Sequence, residues 1–175
     1  MLDGEKIYLL PISRKDTENV IRWRNEPYVQ DKFIYREKFT KESHEKWLEA
    51  MVDTGKVTQF IIYTKAERKA IGSVYLRDIN QKDKRAEFGI FIGEKEYWGK
   101  GFGNEATKLI LNYAFRTLCL HKVMLRVFAS NKRAIRSYEK AGFVQEGYFK
   151  DEVKIGNEYY DIIFMAILSN TYNKM

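Results

Sequence analysis

Residues 97–106 decide the fold; they read Tyr97-Trp98-Gly99-Lys100-Gly101-Phe102-Gly103-Asn104-Glu105-Ala106. Three glycines alternate here, immediately before a stretch in which apolar residues recur at helical spacing. Just upstream, Arg85–Ile92 alternates with a period of two, which is typical of a strand. Glycines allow a tight turn, and free N–H groups at a helix start favour negative charge. The succession of strand, glycine turn and helix therefore predicts an anion-binding site. A purely structural tight turn is the alternative.

Two common nucleotide-binding loops do not match this turn. A dinucleotide-binding fingerprint needs glycine at position 104, which is Asn104. It also needs an acidic residue about 20 positions later, and residues 120–123 contain none. A Walker loop needs Gly-Lys followed by Ser or Thr, but Lys100 is followed by Gly101. An anion bound at this turn would therefore be held by a loop of another kind.

Outward from the loop, the sequence predicts further strands and helices. Predicted strands cover residues 6–12, 59–63, 70–79, 85–92, 121–128, 144–153 and 158–168. Predicted helices cover residues 16–24, residues 41–52 after the N-cap Thr40, the apolar stripe after the glycines, and residues 131–141. Asn131 is the N-cap of the last helix, and Gly142 takes the left-handed position after it. This order predicts an α/β (α+β) fold, a mixed sheet of about seven strands covered by about four helices.

Composition restricts the classes of protein that remain. We expect one domain over residues 1–175, without a linker, a signal peptide or a membrane span. The formal net charge is +7, yet no Lys/Arg tract reaches five residues, which favours a phosphate-rich ligand over nucleic acid. Cys119 is the single cysteine, so no intramolecular disulfide forms, and we expect an inert core residue in a reducing, cytoplasmic setting. No metal-binding spacing is present.

The glycine turn resembles the acyl-CoA pyrophosphate loop of the GNAT superfamily of N-acetyltransferases. The family pattern is Gln or Arg, two residues, Gly, one residue, then Gly or Ala; here Gly101 and Gly103 match, and Trp98 stands at the Gln/Arg position. The surrounding residues are similar to the branch of ribosomal-protein N-terminal acetyltransferases. A second signature, an Asn-initiated helix that ends in Gly-Phe, is matched from Asn131 to Phe143. The resemblance covers roughly residues 70–149 and implies a mostly antiparallel GNAT sheet.

The resemblance also implies the cosubstrate, acetyl-CoA, and the residues that bind it. N–H groups of the glycine loop would hold the pyrophosphate, Lys100 would add charge, and a backbone N–H near Phe91 or Ile92 would meet the oxyanion. Asn131 would contact the pantetheine arm, or only cap its helix. The predicted cofactor-binding set is Phe91, Ile92, Trp98, Gly99, Lys100, Gly101, Phe102, Gly103, Asn104 and Asn131. No metal is expected.

Two residues are candidates for proton transfer. A phenol stays protonated at neutral pH and can donate to a departing thiolate, and in the family a Tyr at the position of Tyr138 often does so. The alternative for Tyr138 is a core aromatic role. Glu87 lies on the strand before the loop, where some members carry a catalytic Glu, and it faces the same side as Gly89, whose missing side chain would leave room for a ligand. The alternative is an outward-facing charge paired with Arg85 or Lys84, with the amine deprotonated through water.

The acceptor is predicted only by class. Trp23, Arg24 and Asn25, followed by His44 and Trp47, resemble acetyltransferases of nucleotide-linked amino sugars, although the same residues could simply form a helix and its buried face. We therefore expect a primary amine of a small molecule, with such sugars weakly favoured, or a protein N-terminus. A polyamine and an aminoglycoside are further alternatives; the net charge of +7 disfavours a polyamine, although a local acidic pocket could overcome this. A non-catalytic acyl-CoA-binding regulatory domain is the main alternative, and either a monomer or a homodimer is compatible with the sequence.

Overall fold

The structure is a computed structural model that describes residues 1–174. Its strands are β1 (Leu2–Asp3), β2 (Ile7–Pro11), β3 (Thr58–Thr64), β4 (Ala70–Asn80), β5 (Arg85–Ile92), β6 (Lys122–Phe128), β7 (Val144–Ile155) and β8 (Glu158–Leu168). They form one sheet in the order β1-β2-β3-β4-β5-β6-β8-β7. Only the β5–β6 pair is parallel within this sheet of residues 2–168, because the helix that follows β5 carries the chain back across the sheet.

The helices lie between these strands. They are α1 (Thr17–Asn25), α2 (Pro27–Gln30), α3 (Lys41–Trp47), α4 (Phe102–Asn112), α5 (Lys132–Lys140) and α6 (Ser169–Tyr172). A π-helical turn extends α3 over Leu48–Val52, and another extends α4 over Tyr113–Thr117. No helix in residues 1–174 is long and apolar enough to cross a membrane.

Two hydrophobic clusters attach the helices to opposite faces of the sheet. The larger cluster packs α4 and α5 on one face, with Ile110 and Leu111 fully buried. The smaller cluster packs α1 and α3 on the other face, around Trp23, Leu48 and Ile61. Burying each such side chain contributes roughly 1.5–3 kcal/mol, so the sheet is fixed from both sides.

The predicted fold class is confirmed, and each predicted strand and helix has a counterpart. The caps also agree: Thr40 accepts from the N–H of Ser43, Asn131 accepts from that of Ala134, and Gly142 has φ 95°. The predictions missed β1, α2 and α6, which have two or four residues each, too few to show a period. α2 begins at Pro27, because proline is well suited to the first helical position.

The prediction for Cys119 is wrong. We expected a core residue, but its side chain is exposed. Cys119 lies in the short connection between the end of the α4 extension and β6, and its φ is +52°. The left-handed turn that this connection requires directs the side chain away from the core.

Candidate active site

A cleft opens in the sheet between its two parallel strands. β5 and β6 pair only from Arg85 to Glu87, and beyond that point they diverge. The opening is a cavity of about 270 Å³, which we call the sheet cleft; β5, β6, α5 and the start of α4 line it. Parallel strands that separate leave backbone groups without a ladder partner, so the cleft has hydrogen-bonding edges.

The backbone of β5 directs particular groups into the sheet cleft. The N–H of Gly93 donates to the carbonyl of Ile71 in β4, at 2.8 Å. Because donors alternate along an antiparallel pair, the N–H of Ile92 faces away from β4 and that of Phe91 faces towards it. Of the two N–H groups that we predicted for an oxyanion, Ile92 therefore has the suitable direction, and Phe91 contributes its ring to the cavity wall.

The glycine loop lies beside this cleft. Gly99 and Gly101 have φ values of 77° and 89°, a conformation that residues with a Cβ rarely adopt. Gly101 is the N-cap of α4, and the N–H groups of residues 99–104 have no acceptor within residues 1–174. Six free donors at a helix start form a site for an anion. Glu105 anchors this helix start, because its Oε1 accepts from the backbone N–H of Lys6 at 2.9 Å.

The other predicted cofactor residues surround the loop in different ways. Trp98 and Asn131 line the sheet cleft, as does Gly103 in the loop itself. The Trp98 indole N–H donates to the carbonyl of Ile92 at 2.8 Å, so this residue fixes the end of β5. The side chain of Asn131 is used to cap α5. Lys100 is exposed and lies over the ring of Tyr97, outside the cleft.

Tyr138 brings a hydroxyl group to the cleft. It lies on α5, and its ring packs edge-on against Phe88 and Phe143. Its hydroxyl has no hydrogen-bond partner in the part of the chain that the structure describes. Burial raises the pKa of Tyr138 above its ordinary value, so the hydroxyl is protonated at neutral pH. It is available as a donor to a group bound in the cleft.

Glu87 also lines the cleft, but two arginines hold it. Its Oε1 accepts from Arg77 Nη2 at 2.7 Å and from Arg126 Nε at 3.1 Å, and its Oε2 accepts from Arg126 Nη2 at 3.3 Å. Its partners are thus on the neighbouring strands β4 and β6, and not Arg85 or Lys84. Accepting a proton would weaken both ion pairs.

A second cavity lies on the side of α1 and α3. It also has a volume of about 270 Å³, and we call it the helix pocket. Arg24, His44 and Trp47 line it, together with aromatic residues of the segment between α2 and α3. It shares a wall with the sheet cleft, formed by Phe33, Tyr35, Tyr75, Arg77 and Phe91. The two cavities therefore lie side by side, separated by these five side chains.

Two of the predicted acceptor residues do not line either cavity. Trp23 is fully buried, and its indole N–H donates to Glu94 at 2.9 Å. Asn25 exchanges two hydrogen bonds with the backbone of Phe39, both 2.8 Å long. These residues position the pocket wall, whereas Arg24 and His44 line it.

Sequence reasoning missed several residues of the site and misread one. Arg77 and Arg126 gave no signal, because they meet Glu87 only when β4, β5 and β6 lie side by side. The space beside Gly89 was expected for a ligand, but the side chain of Tyr75 fills it, and a Cβ there would lie 2.2 Å from that ring. Within residues 1–174 no three His, Cys, Asp or Glu side chains are grouped to bind a metal ion.

Comparisons with known proteins agree with this arrangement. A family model described as an acetyltransferase (GNAT) domain matches residues 6–144. A spermidine N(1)-acetyltransferase of Escherichia coli (strain K12) is 32% identical over 180 residues, covering 98% of this chain and 91% of that protein. One from Vibrio cholerae is 40% identical over 107 residues, 61% of each chain. The crystal structure of a Vibrio cholerae spermidine N-acetyltransferase with CoA and spermine superposes with a TM-score of 0.91 at 29% identity, covering 97% of this chain and 99% of that one.

Proposed function

The chain belongs to the GNAT acetyltransferase family and is an acetyl-CoA-dependent N-acetyltransferase, and we propose that its acceptor is a primary amine of a small molecule. The proposal is that the amine attacks directly, while both substrates are bound. The observation that supports it is the shared wall between the two cavities, because it places a donor bound in one cavity next to an acceptor bound in the other.

The donor side fits the chemistry of acetyl-CoA, which supplies an activated thioester on an amide-containing arm with a pyrophosphate. Free N–H groups of residues 99–104 suit the pyrophosphate oxygens. Backbone groups of β5 that face away from β4, such as the N–H of Ile92, suit the arm and the developing oxyanion. Lys100 adds charge at the edge of the loop, and Asn131 keeps α5 in place beside it.

In the proposed step, the neutral amine nitrogen forms a bond to the acetyl carbon and the carbon–sulfur bond breaks. The sulfur leaves with the electron pair and takes a proton, and the amine nitrogen loses one. We assign the proton donor for sulfur to Tyr138, because its free hydroxyl lines the cleft and its raised pKa keeps it protonated. The products are an amide and a free thiol.

The amine must lose its proton before or during attack, and Glu87 was our sequence-based candidate to accept it. That role stays a prediction, and the contacts of Glu87 with Arg77 and Arg126 do not favour it, since accepting a proton would weaken both pairs. We propose instead that the proton passes to water and that Glu87 positions the two arginines along the cleft wall.

The acceptor class is a separate question from the reaction. The sequence weakly favoured nucleotide-linked amino sugars over polyamines, but the names of the relatives specify spermidine. A polyamine is therefore the first acceptor to test. The shared feature of both classes is a primary amine on a flexible small molecule, which is the level at which we state the function.

The experiment is an acetyl-transfer screen read by mass spectrometry. Purified protein and acetyl-CoA are incubated with spermidine, nucleotide-linked amino sugars, N-terminal peptides and aminoglycosides. We expect the mass gain of one acetyl group on a small-molecule amine, with stoichiometric release of free thiol. Transfer only to peptides would refute the small-molecule acceptor. No transfer to any amine, with acetyl-CoA bound and intact, would favour the regulatory binding domain.

A further inference from the structure

The helix pocket contains a buried arginine that has no counter-ion. Arg24 is 8% exposed and forms no ion pair with any residue in 1–174. Its hydrogen bond there runs from Nη2 to the carbonyl of Tyr35, at 3.3 Å, and its Nε has no acceptor. Buried charges in proteins are normally paired, because removing an ion from water is costly. A free buried guanidinium that lines a cavity indicates that its partner comes from outside the chain.

Aromatic rings hold this guanidinium by its faces. Its central carbon lies 3.4 Å from the ring centre of Phe33 and 4.7 Å from that of Phe39. Such stacking leaves the N–H groups around the edge free to donate. Burial lowers the pKa of Arg24 to about 10, so the group keeps its charge at neutral pH.

Three other arginines near the two cavities have carboxylate partners, whereas Arg133, which lines the sheet cleft without an ion pair in residues 1–174, is exposed. Arg22, on the same helix, pairs with Glu94, and Arg77 and Arg126 both pair with Glu87. The protein thus supplies a carboxylate for each of these guanidinium groups but not for Arg24. The contrast is within one small region, so it does not follow from a general lack of acidic residues.

His44 supplies a second free polar atom to the same pocket. It is 1% exposed, its Nδ1 lies 3.2 Å from Thr17 Oγ1, and its Nε2 has no partner within residues 1–174. When Nδ1 accepts from the Thr17 hydroxyl, Nε2 carries the proton and is a donor. Two carboxylates, Glu37 and Asp78, also line the pocket, but both are exposed and neither pairs with Arg24.

We propose that the acceptor of this acetyltransferase carries an anionic oxygen group, a phosphate or a carboxylate, which Arg24 and His44 bind in the helix pocket while its amine reaches the sheet cleft. The inference rests on the proposed function, since it names the class of amine that the same site takes. Phe33 and Phe91 line both cavities, so the two sites are adjacent, and the proposed acceptor extends past these rings from one to the other. Spermidine has no anionic group, so the acceptor of this chain differs from that named for its relatives.

The test compares amines that differ in an anionic group. Acetyl transfer is measured for UDP-glucosamine against glucosamine and for L-lysine against cadaverine, with spermidine alongside. We expect kcat/KM to favour the anionic member of one pair by about tenfold or more, since hydrogen bonds to charged groups are the stronger ones. The pair that shows the preference identifies the source as phosphate or carboxylate.

Three variants assign the preference to Arg24. Arg24→Gln should abolish it, Arg24→Lys should retain part of it, because a lysine keeps the charge without the planar fork, and Arg22→Gln on the same helix should leave it intact. Binding of CoA by each variant checks that the protein is folded. The same amines are also titrated calorimetrically into CoA-saturated protein, so that binding is read independently of turnover.

The outcomes separate the two proposals. A preference for the anionic amine that disappears in Arg24→Gln supports the inference. Preferred transfer to spermidine or cadaverine, or a preference that Arg24→Gln does not change, overturns the inference and leaves the acetyltransferase proposal intact. Transfer to none of these amines counts against the proposed function, and Arg24-dependent calorimetric binding would then still support an anion site. Absence of both transfer and Arg24-dependent binding refutes both.

Discussion

The sheet cleft and the helix pocket use different parts of the protein to make a polar site. In the cleft, apart from the hydroxyl of Tyr138, the free donors are backbone N–H groups of residues 99–104 and of β5, placed by glycine turns and by the divergence of two strands. In the helix pocket, the free polar atoms belong to the side chains of Arg24 and His44. A backbone site keeps its geometry through many sequence changes, whereas a side-chain site changes with one substitution. This difference suits a common donor and a variable acceptor.

The largest effect should come from the side chain that we assign as the proton donor in the cleft. Tyr138→Phe removes the proposed proton donor, and we expect kcat to fall about 100-fold, as is usual for loss of general acid catalysis, with little change in the KM for acetyl-CoA. The measurement is steady-state kinetics. The control is Tyr113→Phe, which alters a tyrosine that lines neither cavity. An unchanged kcat would exclude Tyr138 as the proton donor.

The same hydroxyl gives an expectation for pH. Burial raises the pKa of Tyr138, so the group stays protonated at alkaline pH values where an ordinary tyrosine begins to ionise. The wild-type kcat should therefore not decline through loss of this proton below about pH 10, the ordinary pKa of tyrosine. The measurement is a profile of kcat against pH up to that value, for the wild-type protein and for the residual activity of the Tyr138→Phe variant. A decline near pH 8 that is present in the wild type and absent in Tyr138→Phe would contradict this expectation.

A substitution in the loop tests the backbone half of the comparison. Gly101→Val places a β-branched residue at φ 89°, and the strain of about 1–3 kcal/mol should displace the donors and raise the KM for acetyl-CoA about tenfold. Gly156→Val imposes similar strain in the β7–β8 turn, at φ 61°, and should lower stability without this KM effect. Equal KM values for acetyl-CoA in the two variants would show that the glycine loop does not bind acetyl-CoA.

Glu87 lies on β5, and its substitution tests whether it positions the two arginines or accepts the proton of the amine. In Glu87→Gln both arginines lose their carboxylate, and we expect kcat/KM to fall about fivefold, which corresponds to roughly 1 kcal/mol. The pH dependence of kcat/KM should keep its midpoint, because in our proposal water takes the proton. A midpoint that moves in this variant would instead make Glu87 the base.

The smallest effect is expected for Lys100. Its ammonium group is exposed, so Lys100→Ala should raise the KM for acetyl-CoA by about twofold or less, and the difference should vanish at high salt. Kinetics at two ionic strengths measure this. A tenfold increase would show that the cleft also depends on a charged side chain, which would weaken its contrast with the helix pocket.

The sheet cleft could be predicted from sequence because its parts are local. The glycine loop is contiguous, and Tyr138 lies on a helix with recognisable ends at Asn131 and Gly142. Even there, the sequence did not predict that Tyr75 fills the space beside Gly89, or that Trp98 fixes the carbonyl of Ile92. Those contacts depend on which side chains the strand register places opposite one another.

The helix pocket was predicted less well, for a physical reason. Its wall combines α1, the segment after α2, α3 and two strands, and nothing in a single segment shows that they meet. Arg24 and His44 were found only through a resemblance, and the same resemblance included Trp23 and Asn25, which support the wall without lining it. The rings of Phe33 and Phe39, which hold Arg24, gave no periodic signal.

The hydrogen bond from Lys6 N–H to Glu105 has a consequence for behaviour on heating. It connects the edge of the sheet, where β1 has only two residues, to the first turn of α4. Short edge strands fray at a lower temperature than a packed core. When β1 frays, the hydrogen bond between Lys6 and Glu105 is lost, and the glycine loop loses its anchor. Thermal inactivation should therefore precede melting of the core, and deletions or fusions at the N-terminus should lower the temperature of inactivation before they lower that of unfolding.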